Sequence, residues 1–225
     1  MALYIHSRNS ADTARWILIL FVIVLSATAW SAYSWYMQRL EPPVIPLPDA
    51  VTDSIVDESV VPKAAVDNYT VPATHPRYIS IPSLGIARAR VQEVGLTKTN
   101  ALDTPRNISD TAWYRQSAHP GEGYGVVLID GHNGGMSRDG VFVNLDKLKT
   151  NDQIIIERGD GQIYTYRVVE DRTESLRDVN TTGMERLMTP YDSTKEGLGL
   201  ITCAGNWSPH SRQFDKRILV RAVAD

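Results

Sequence analysis

Leu198-Gly199-Leu200-Ile201-Thr202-Cys203 is the stretch that decides the fold and the function class of this chain. Its apolar run is typical of a buried strand, and Ala-Gly-Asn follows at once, where the backbone leaves the sheet. Cys203 is the only cysteine, so it has no intramolecular disulfide partner. A reactive side chain at a strand end is well placed to meet a substrate. We therefore take Cys203 as the candidate nucleophile, with a buried small hydrophobic residue as the alternative.

Short apolar runs bounded by turn residues recur on both sides of this stretch. They are Tyr78–Ile81, Arg90–Val94, Val126–Asp130, Gln153–Glu157, Gln162–Val169 and Ile218–Val223. Arg158-Gly159-Asp160-Gly161 predicts a hairpin turn between two of them. Helix is scarce: a capping-box pattern at Thr182-Gly183-Met184-Glu185 starts one short helix, which Pro190 stops, and Phe142–Leu148 predicts another. Residues 77–225 are therefore predicted to form a mainly β domain, a closed or nearly closed barrel.

An uncharged N-terminal stretch precedes this domain. Trp16–Gln38 holds 23 residues without a charge, and a helix of that length reaches about 35 Å, enough to cross a membrane. The arginines within residues 1–15 predict, by the positive-inside rule, a cytoplasmic N-terminus and an extracytoplasmic domain. The alternative is a cleaved signal peptide with Ile17–Leu25 as its apolar region and Ala27-Thr28-Ala29 as its cleavage site. Both interpretations place the domain of residues 77–225 outside the membrane.

Residues 39–76 predict a linker. They hold seven of the twelve prolines and no glycine, and residues 41–76 carry six acidic residues and one basic residue. Such a composition is typical of a semi-extended extracellular spacer. Residues 77–225 carry 19 acidic and 19 basic residues. A neutral domain without a basic stripe argues against nucleic acid as a partner.

A nucleophilic cysteine needs a proton-transfer partner. His132 follows the apolar strand Val126–Asp130, so a strand end bearing histidine and one bearing cysteine can meet in one barrel. The alternative for His132 is a surface loop histidine. His119 lies in a turn-like segment, and His210 lies in a polar loop seven residues past Cys203, so neither has the same support.

The reaction also needs a group that holds developing negative charge. Arg217 begins the last apolar strand, and a hairpin out from Cys203 and back would set its guanidinium beside the thiolate. Arg212, in the loop between the two, is the competing residue. A guanidinium suits this task because its donors form a fixed fork and its charge does not titrate.

At these residues the chain resembles the sortases, a family of cell-surface cysteine transpeptidases. Leu200-Ile201-Thr202-Cys203 resembles the family's T-L-x-T-C signature, although Gly199 stands where the first Thr is usual. Gly131-His132 matches the G-H of the catalytic histidine, and Lys216–Val220 matches the arginine strand. Further similar segments are Arg77–Ile86, Ala112–Tyr114, Pro120–Glu122 and Gly140–Phe142. The resemblance extends over essentially all of residues 77–225 and is greatest to class F, then class E.

The resemblance implies a closed barrel of about eight strands and a role for each candidate residue. Cys203 would attack the carbonyl within an LPxTG-like sorting signal of another exported protein. His132 would protonate the departing amine, Arg217 would orient substrate and stabilise the oxyanion, and Thr202 would support the substrate backbone. An amine, such as a peptidoglycan precursor or a pilin lysine, would resolve the thioester. The enzyme would act at the cell membrane, anchored by its N-terminal helix.

Two other function classes stay open on the sequence. One is a surface cysteine peptidase of the same fold, in which water resolves the thioester. The other is a non-catalytic anchored β-domain. No cofactor is expected, because no histidines stand at ligand spacing and no cysteines are paired. A calcium site made from loop carboxylates stays open, because Asp and Glu are plentiful.

Overall fold

The computed structural model describes residues 10–39, 56–98, 100–211 and 213–225, in two units, Met1–Pro42 and Pro43–Asp225. The first unit contains helix α1 (Ser10–Arg39). Within α1, Arg15–Tyr33 has a mean hydropathy of 2.0, and its side chains are exposed. By length and composition this helix could span a membrane, and it overlaps the predicted span of residues 16–38.

The second unit is built on a closed barrel of eight strands. They are β1 (Pro76–Ile81), β2 (Ile86–Val94), β3 (Thr111–Tyr114), β4 (Val126–Gly131), β5 (Gln153–Arg158), β6 (Ile163–Ser175), β7 (Gly197–Ser208) and β8 (Gln213–Ala224). Their order around the barrel is β1-β2-β3-β4-β7-β8-β6-β5, and β5 pairs back with β1. The pairs β2–β3 and β4–β7 are parallel, and the others are antiparallel. The predicted mainly β barrel is confirmed.

Part of the expected spacer is structured. Helix α2 (Lys63–Asp67) follows Pro62, a residue that is favourable at a helix start. Just beyond it, the Tyr69 hydroxyl donates a 2.7 Å hydrogen bond to the Val91 carbonyl in β2. Residues 56–76 thus lie along the barrel, because their aromatic and backbone polar groups find partners there. The other residues of the predicted linker, from 40 to 55, lie outside the described part of the chain.

The segment between β6 and β7 is helical along residues 176–188. It comprises α3 (Leu176–Asp178), a π-helical stretch (Val179–Gly183) and α4 (Met184–Met188). The predicted start at Thr182 is wrong, because Ser175 caps the helix and accepts a 3.1 Å hydrogen bond from the Asp178 amide. The helix ends before Pro190, as predicted. Phe142–Leu148 forms only a 3₁₀ turn, at Leu145–Lys147.

Two layers of apolar contacts bury the strands that carry the candidate residues. All eight strands contribute to the barrel interior, for example through Ile129, Leu200 and Val220. A second cluster lies on the opposite face of the same strands, where Leu128, Ile201 and Leu219 pack with Met184 and Leu187 of the helical segment. Burial on both faces explains why β4, β7 and β8 read as nearly continuous apolar runs.

Candidate active site

Strands β7 and β8 place two of the three predicted catalytic residues opposite each other, and the third, His132, directly follows β4. The sequence predicted that the strand ends at Cys203, but β7 continues to Ser208, because it pairs with β8 in a long hairpin. Cys203 in β7 lies directly opposite Arg217 in β8. The parallel pairing of β4 with β7 sets Asp130 level with Ile201. β4 ends at Gly131 and His132 is the next residue, whereas Cys203 lies two residues beyond Ile201 within β7. Neighbouring strands are about 4.8 Å apart, so the end of β4 that leads into His132 lies near the Cys203–Arg217 pair.

Cys203 and Arg217 share one face of the sheet. Side chains two positions apart along a strand point the same way. Cys203 therefore lies on the face of Ile201, and Arg217 on the face of Leu219, both of which contact the helical segment between β6 and β7. The candidate site is thus on the outer surface of the barrel, next to that segment.

The Cys203 thiol is held in its neutral form. Burial raises the pKa of Cys203 to about 11, the Arg217 guanidinium opposes the rise, and the Asp130 carboxylate adds to it. At neutral pH the thiolate, which is the nucleophilic form, is therefore a small fraction. A base is needed to take the proton as the sulfur attacks.

His132 is oriented by a backbone carbonyl. Its Nε2 lies 2.7 Å from the carbonyl oxygen of Pro105, in the loop before β3. Because a carbonyl only accepts, this nitrogen carries the proton, which leaves Nδ1 as the acceptor in the neutral ring. Burial lowers the pKa of His132 more than this hydrogen bond raises it. The resting imidazole is therefore neutral and able to accept a proton.

Arg217 is fully buried, with 0% of its surface exposed. Its Nη1 donates to the carbonyls of Phe214 at 2.9 Å and Lys216 at 2.8 Å. Two backbone acceptors fix the plane of the guanidinium opposite Cys203. The competing residue, Arg212, lies outside the described part of the chain.

Thr202 has a different environment from the one expected for a substrate contact. It is fully buried and alternates with Cys203, so its side chain lies on the interior face of the barrel with Leu200. Its Oγ1 donates a 2.7 Å hydrogen bond to the carbonyl of Gly131. The side chain therefore joins β4 to β7 at the residues preceding His132 and Cys203.

The sequence reasoning missed Asp130 as a residue of this site. Only 3% of Asp130 is exposed, and it lies on the same face of β4 as Leu128, two residues before His132. Burial raises the pKa of its carboxyl to about 7, although Arg217 lowers it. The signal in the sequence was a carboxylate that ends the apolar run Val126–Ile129, immediately before Gly131.

Residues 57–59 tie together the two loops that flank His132. The Asp57 amide donates to the carbonyl of Arg106, next to the histidine's partner Pro105. The Glu58 carboxylate accepts a 3.0 Å hydrogen bond from the amide of Ser137, in the loop after β4. These contacts make part of the expected spacer a structural element of the candidate site.

Within the described residues, no group of three or more His, Cys, Asp or Glu side chains is arranged to hold a metal ion.

Comparison with known proteins places this arrangement in a family. None of the curated proteins matches the chain. Sortase A from Corynebacterium diphtheriae is 22% identical, over 88% of this chain and 83% of that one, with a TM-score of 0.52. Sortase C from Streptococcus pneumoniae is 19% identical, over 84% of each chain, with a TM-score of 0.51. These two likenesses show a shared fold. The Sortase domain family model matches residues 79–225, which include every candidate catalytic residue and more than half of the chain, so this chain belongs to the sortase family.

Proposed function

We propose that this sortase is a membrane-anchored cysteine transpeptidase that cleaves an LPxTG-like sorting signal and joins the released acyl group to an amine. The observation that carries the proposal is the direct pairing of Cys203 with Arg217 across β7 and β8, with His132 directly after β4, the other neighbour of β7. A nucleophile, a base and a fixed cation are the groups that acyl transfer requires.

In the first half of the reaction, the Cys203 sulfur attacks the scissile carbonyl carbon of the sorting signal while His132 accepts the thiol proton. Nδ1 is the acceptor, because Nε2 donates to Pro105. The carbonyl oxygen becomes an oxyanion, which the Arg217 guanidinium stabilises. The carbon–nitrogen bond then breaks, and His132 gives its proton to the leaving amine. The product of this half is a thioester on Cys203.

In the second half, an incoming amine attacks the thioester and gives up a proton to His132. The new amide leaves, and the thiol of Cys203 is restored with that proton. A peptidoglycan precursor or a pilin lysine supplies the amine. The family membership supports this step, and the neutral imidazole of the resting site suits it, because a neutral ring can accept the proton from the amine.

The partners and location follow from the anchor. Exported proteins that carry a C-terminal LPxTG-like signal are the proposed substrates, and helix α1 is the proposed single-pass anchor, with the barrel outside the membrane. Protease added to intact protoplasts should remove the barrel, and protection until lysis would contradict this orientation. The proposed subclass is class F, on the sequence Thr202-Cys203-Ala204-Gly205.

The test of the proposal is product mass with and without an acceptor amine. The full chain in detergent is incubated with an LPxTG peptide, alone or with triglycine or a lysine peptide, and Cys203→Ala is the control. A product joined to the added amine supports the transpeptidase. Hydrolysis alone, at every amine concentration, would favour the peptidase. No cleavage of any sorting peptide would favour a non-catalytic domain.

A further inference from the structure

A buried carboxylate lies in the candidate site without a part in the reaction just described. Asp130 is 3% exposed and lies near the end of β4, two residues before His132. The neighbouring strand pairs Ile201 with it, and Cys203 lies two residues further along that strand. With strands about 4.8 Å apart and a rise of about 3.3 Å per residue, such diagonal positions on one face are about 8 Å apart, well within range of an electrostatic effect.

The charged and titratable groups around Asp130 are few. Strand β7 contributes the Cys203 thiol, and the next strand, β8, contributes the buried guanidinium of Arg217. Strand β3 sets Ala112 opposite Asp130, and the helical segment contributes apolar side chains. Along its own strand the nearest titratable group is His132. Arg217 is therefore the main charge that acts on this carboxyl from the elements packed against it.

One cation thus acts on two acidic groups. Arg217 lowers the pKa of both Asp130 and Cys203, while the Asp130 carboxylate raises the pKa of the thiol. A second negative charge near the same cation is unfavourable in a buried site. The thiolate of Cys203 and the ionised carboxylate of Asp130 therefore compete for stabilisation by the positive charge of Arg217.

We propose that Asp130 is a positioning residue that keeps Cys203 a neutral thiol in the resting enzyme by sharing the charge of Arg217. The inference deepens the proposed function, because it concerns the same nucleophile. A neutral thiol reacts slowly with oxidants, which protects the only cysteine of a protein proposed to work outside the cell. Proton transfer to His132 then makes the nucleophile only when substrate is in place.

The experiment is the rate of Cys203 modification by methyl methanethiosulfonate, measured in the full chain in detergent from pH 5 to pH 10. Asp130→Asn is compared with the wild type. The control is Asp171→Asn, which removes a half-buried carboxyl of raised pKa that interacts with Asp146. At pH 9 we expect Asp130→Asn to react about tenfold faster, the factor for a decrease of one pKa unit in the thiol. Asp171→Asn should match the wild type.

The pH dependence separates this role from a structural one. The carboxyl of Asp130 titrates at about pH 7, so the difference between wild type and Asp130→Asn should disappear toward pH 5, where the carboxyl is neutral in both. In the wild type, the logarithm of the rate should rise with pH, flatten over about one unit just above pH 7, and rise again. In Asp130→Asn it should rise without the flat region. If Asp130→Asn does not fold, the wild-type profile is the test by itself: a flat region just above pH 7 supports the role of Asp130, and a straight profile overturns it.

Equal rates at every pH, or a straight wild-type profile, would overturn the role of Asp130. A constant ratio of rates across the whole pH range would also overturn it, since that indicates a change of access and not of charge. These outcomes are independent of the proposed function, because the reagent needs no sorting signal. If the enzyme transfers a sorting peptide but Asp130→Asn has the same pH profile of Cys203 modification as the wild type, the transpeptidase function stands and the electrostatic role of Asp130 is rejected.

Discussion

Cys203 and Arg217 are direct cross-strand partners in the β7–β8 hairpin, and the residues between them form its distal part. The thiol and the guanidinium are therefore fixed relative to each other by main-chain hydrogen bonds. The guanidinium is also held by the hydrogen bonds that it donates to the carbonyls of Phe214 and Lys216. Replacing Arg217 is therefore the most specific test of how the site stabilises negative charge.

Replacing Arg217 should slow acylation of Cys203 more than it weakens substrate binding, because oxyanion charge appears mainly in the transition state. We expect Arg217→Ala to lose about 10²–10³-fold in the single-turnover rate of thioester formation. Arg217→Lys should be little better, since an ammonium lacks the planar fork. Arg221→Lys, on the same strand, is the matched control. Normal acylation by Arg217→Ala beside a slow Arg212→Ala would move the role to Arg212.

His132→Ala should abolish turnover, whereas His210→Ala should keep most of it. His132 directly follows β4, which pairs with β7, and its ring is oriented by Pro105. His210 lies at the distal end of the β7–β8 hairpin, away from β4. Steady-state transfer of an LPxTG peptide gives the comparison. An inactive His210→Ala with an active His132→Ala would invert the assignment.

Thr202→Val should destabilise the barrel by about 1 kcal/mol, because the buried Gly131 carbonyl loses its donor. A loss of that size lowers Tm by about 2–4 °C in a domain of this size. Thr202→Ser, which keeps the hydroxyl, should stay near the wild type. Thermal unfolding gives the measurement, together with KM for the sorting peptide. A large rise in KM without a change in Tm would instead restore the expected substrate contact.

Glu58 should attach residues 57–59 to the loop after β4 in a pH-dependent way. Hydrogen bonds from Ser137 and the Met136 amide hold its pKa below the ordinary value of 4.5. A carboxyl with a lowered folded pKa stabilises the attachment above its unfolded pKa, and that contribution is lost as the pH falls through the folded value. Hydrogen exchange at the Ser137 amide should be faster in Glu58→Gln than in the wild type at pH 7. Unchanged exchange at this amide would show that the contact adds nothing.

The barrel and the catalytic strands were predictable because their signals are local. The runs at β4, β7 and β8 are apolar on both faces, and each has a functional side chain at or near one boundary, so periodicity and the boundaries of the runs both point to Cys203 and His132. Strand β3 was missed because only four residues form it, and its pairing with β2 and β4 is nonlocal. The start of the helical segment between β6 and β7 was predicted at the wrong residue because Ser175 and Thr182 each begin a capping pattern, and the structure uses the one at Ser175.

The rest of the site depends on contacts that composition does not reveal. Residues 56–76 have the composition of a spacer, yet Tyr69 and Glu58 bind groups on the barrel that are far away in sequence. The interior position of Thr202 follows from strand alternation, but its bond to Gly131 needs the β4–β7 pairing. The electrostatic importance of Asp130 arises only when Arg217 is brought near it.

The central claim is that Cys203 forms a thioester with a sorting signal. The most direct measurement is mass spectrometry of the full chain incubated with LPxTG and LAxTG peptides, without an acceptor amine and quenched in acid. We predict an added mass equal to the acyl half of one peptide, located on Cys203, absent from Cys203→Ala and removed by an added amine. An adduct on another residue would contradict the account, as would no adduct with any peptide while Cys203 remains open to thiol reagents.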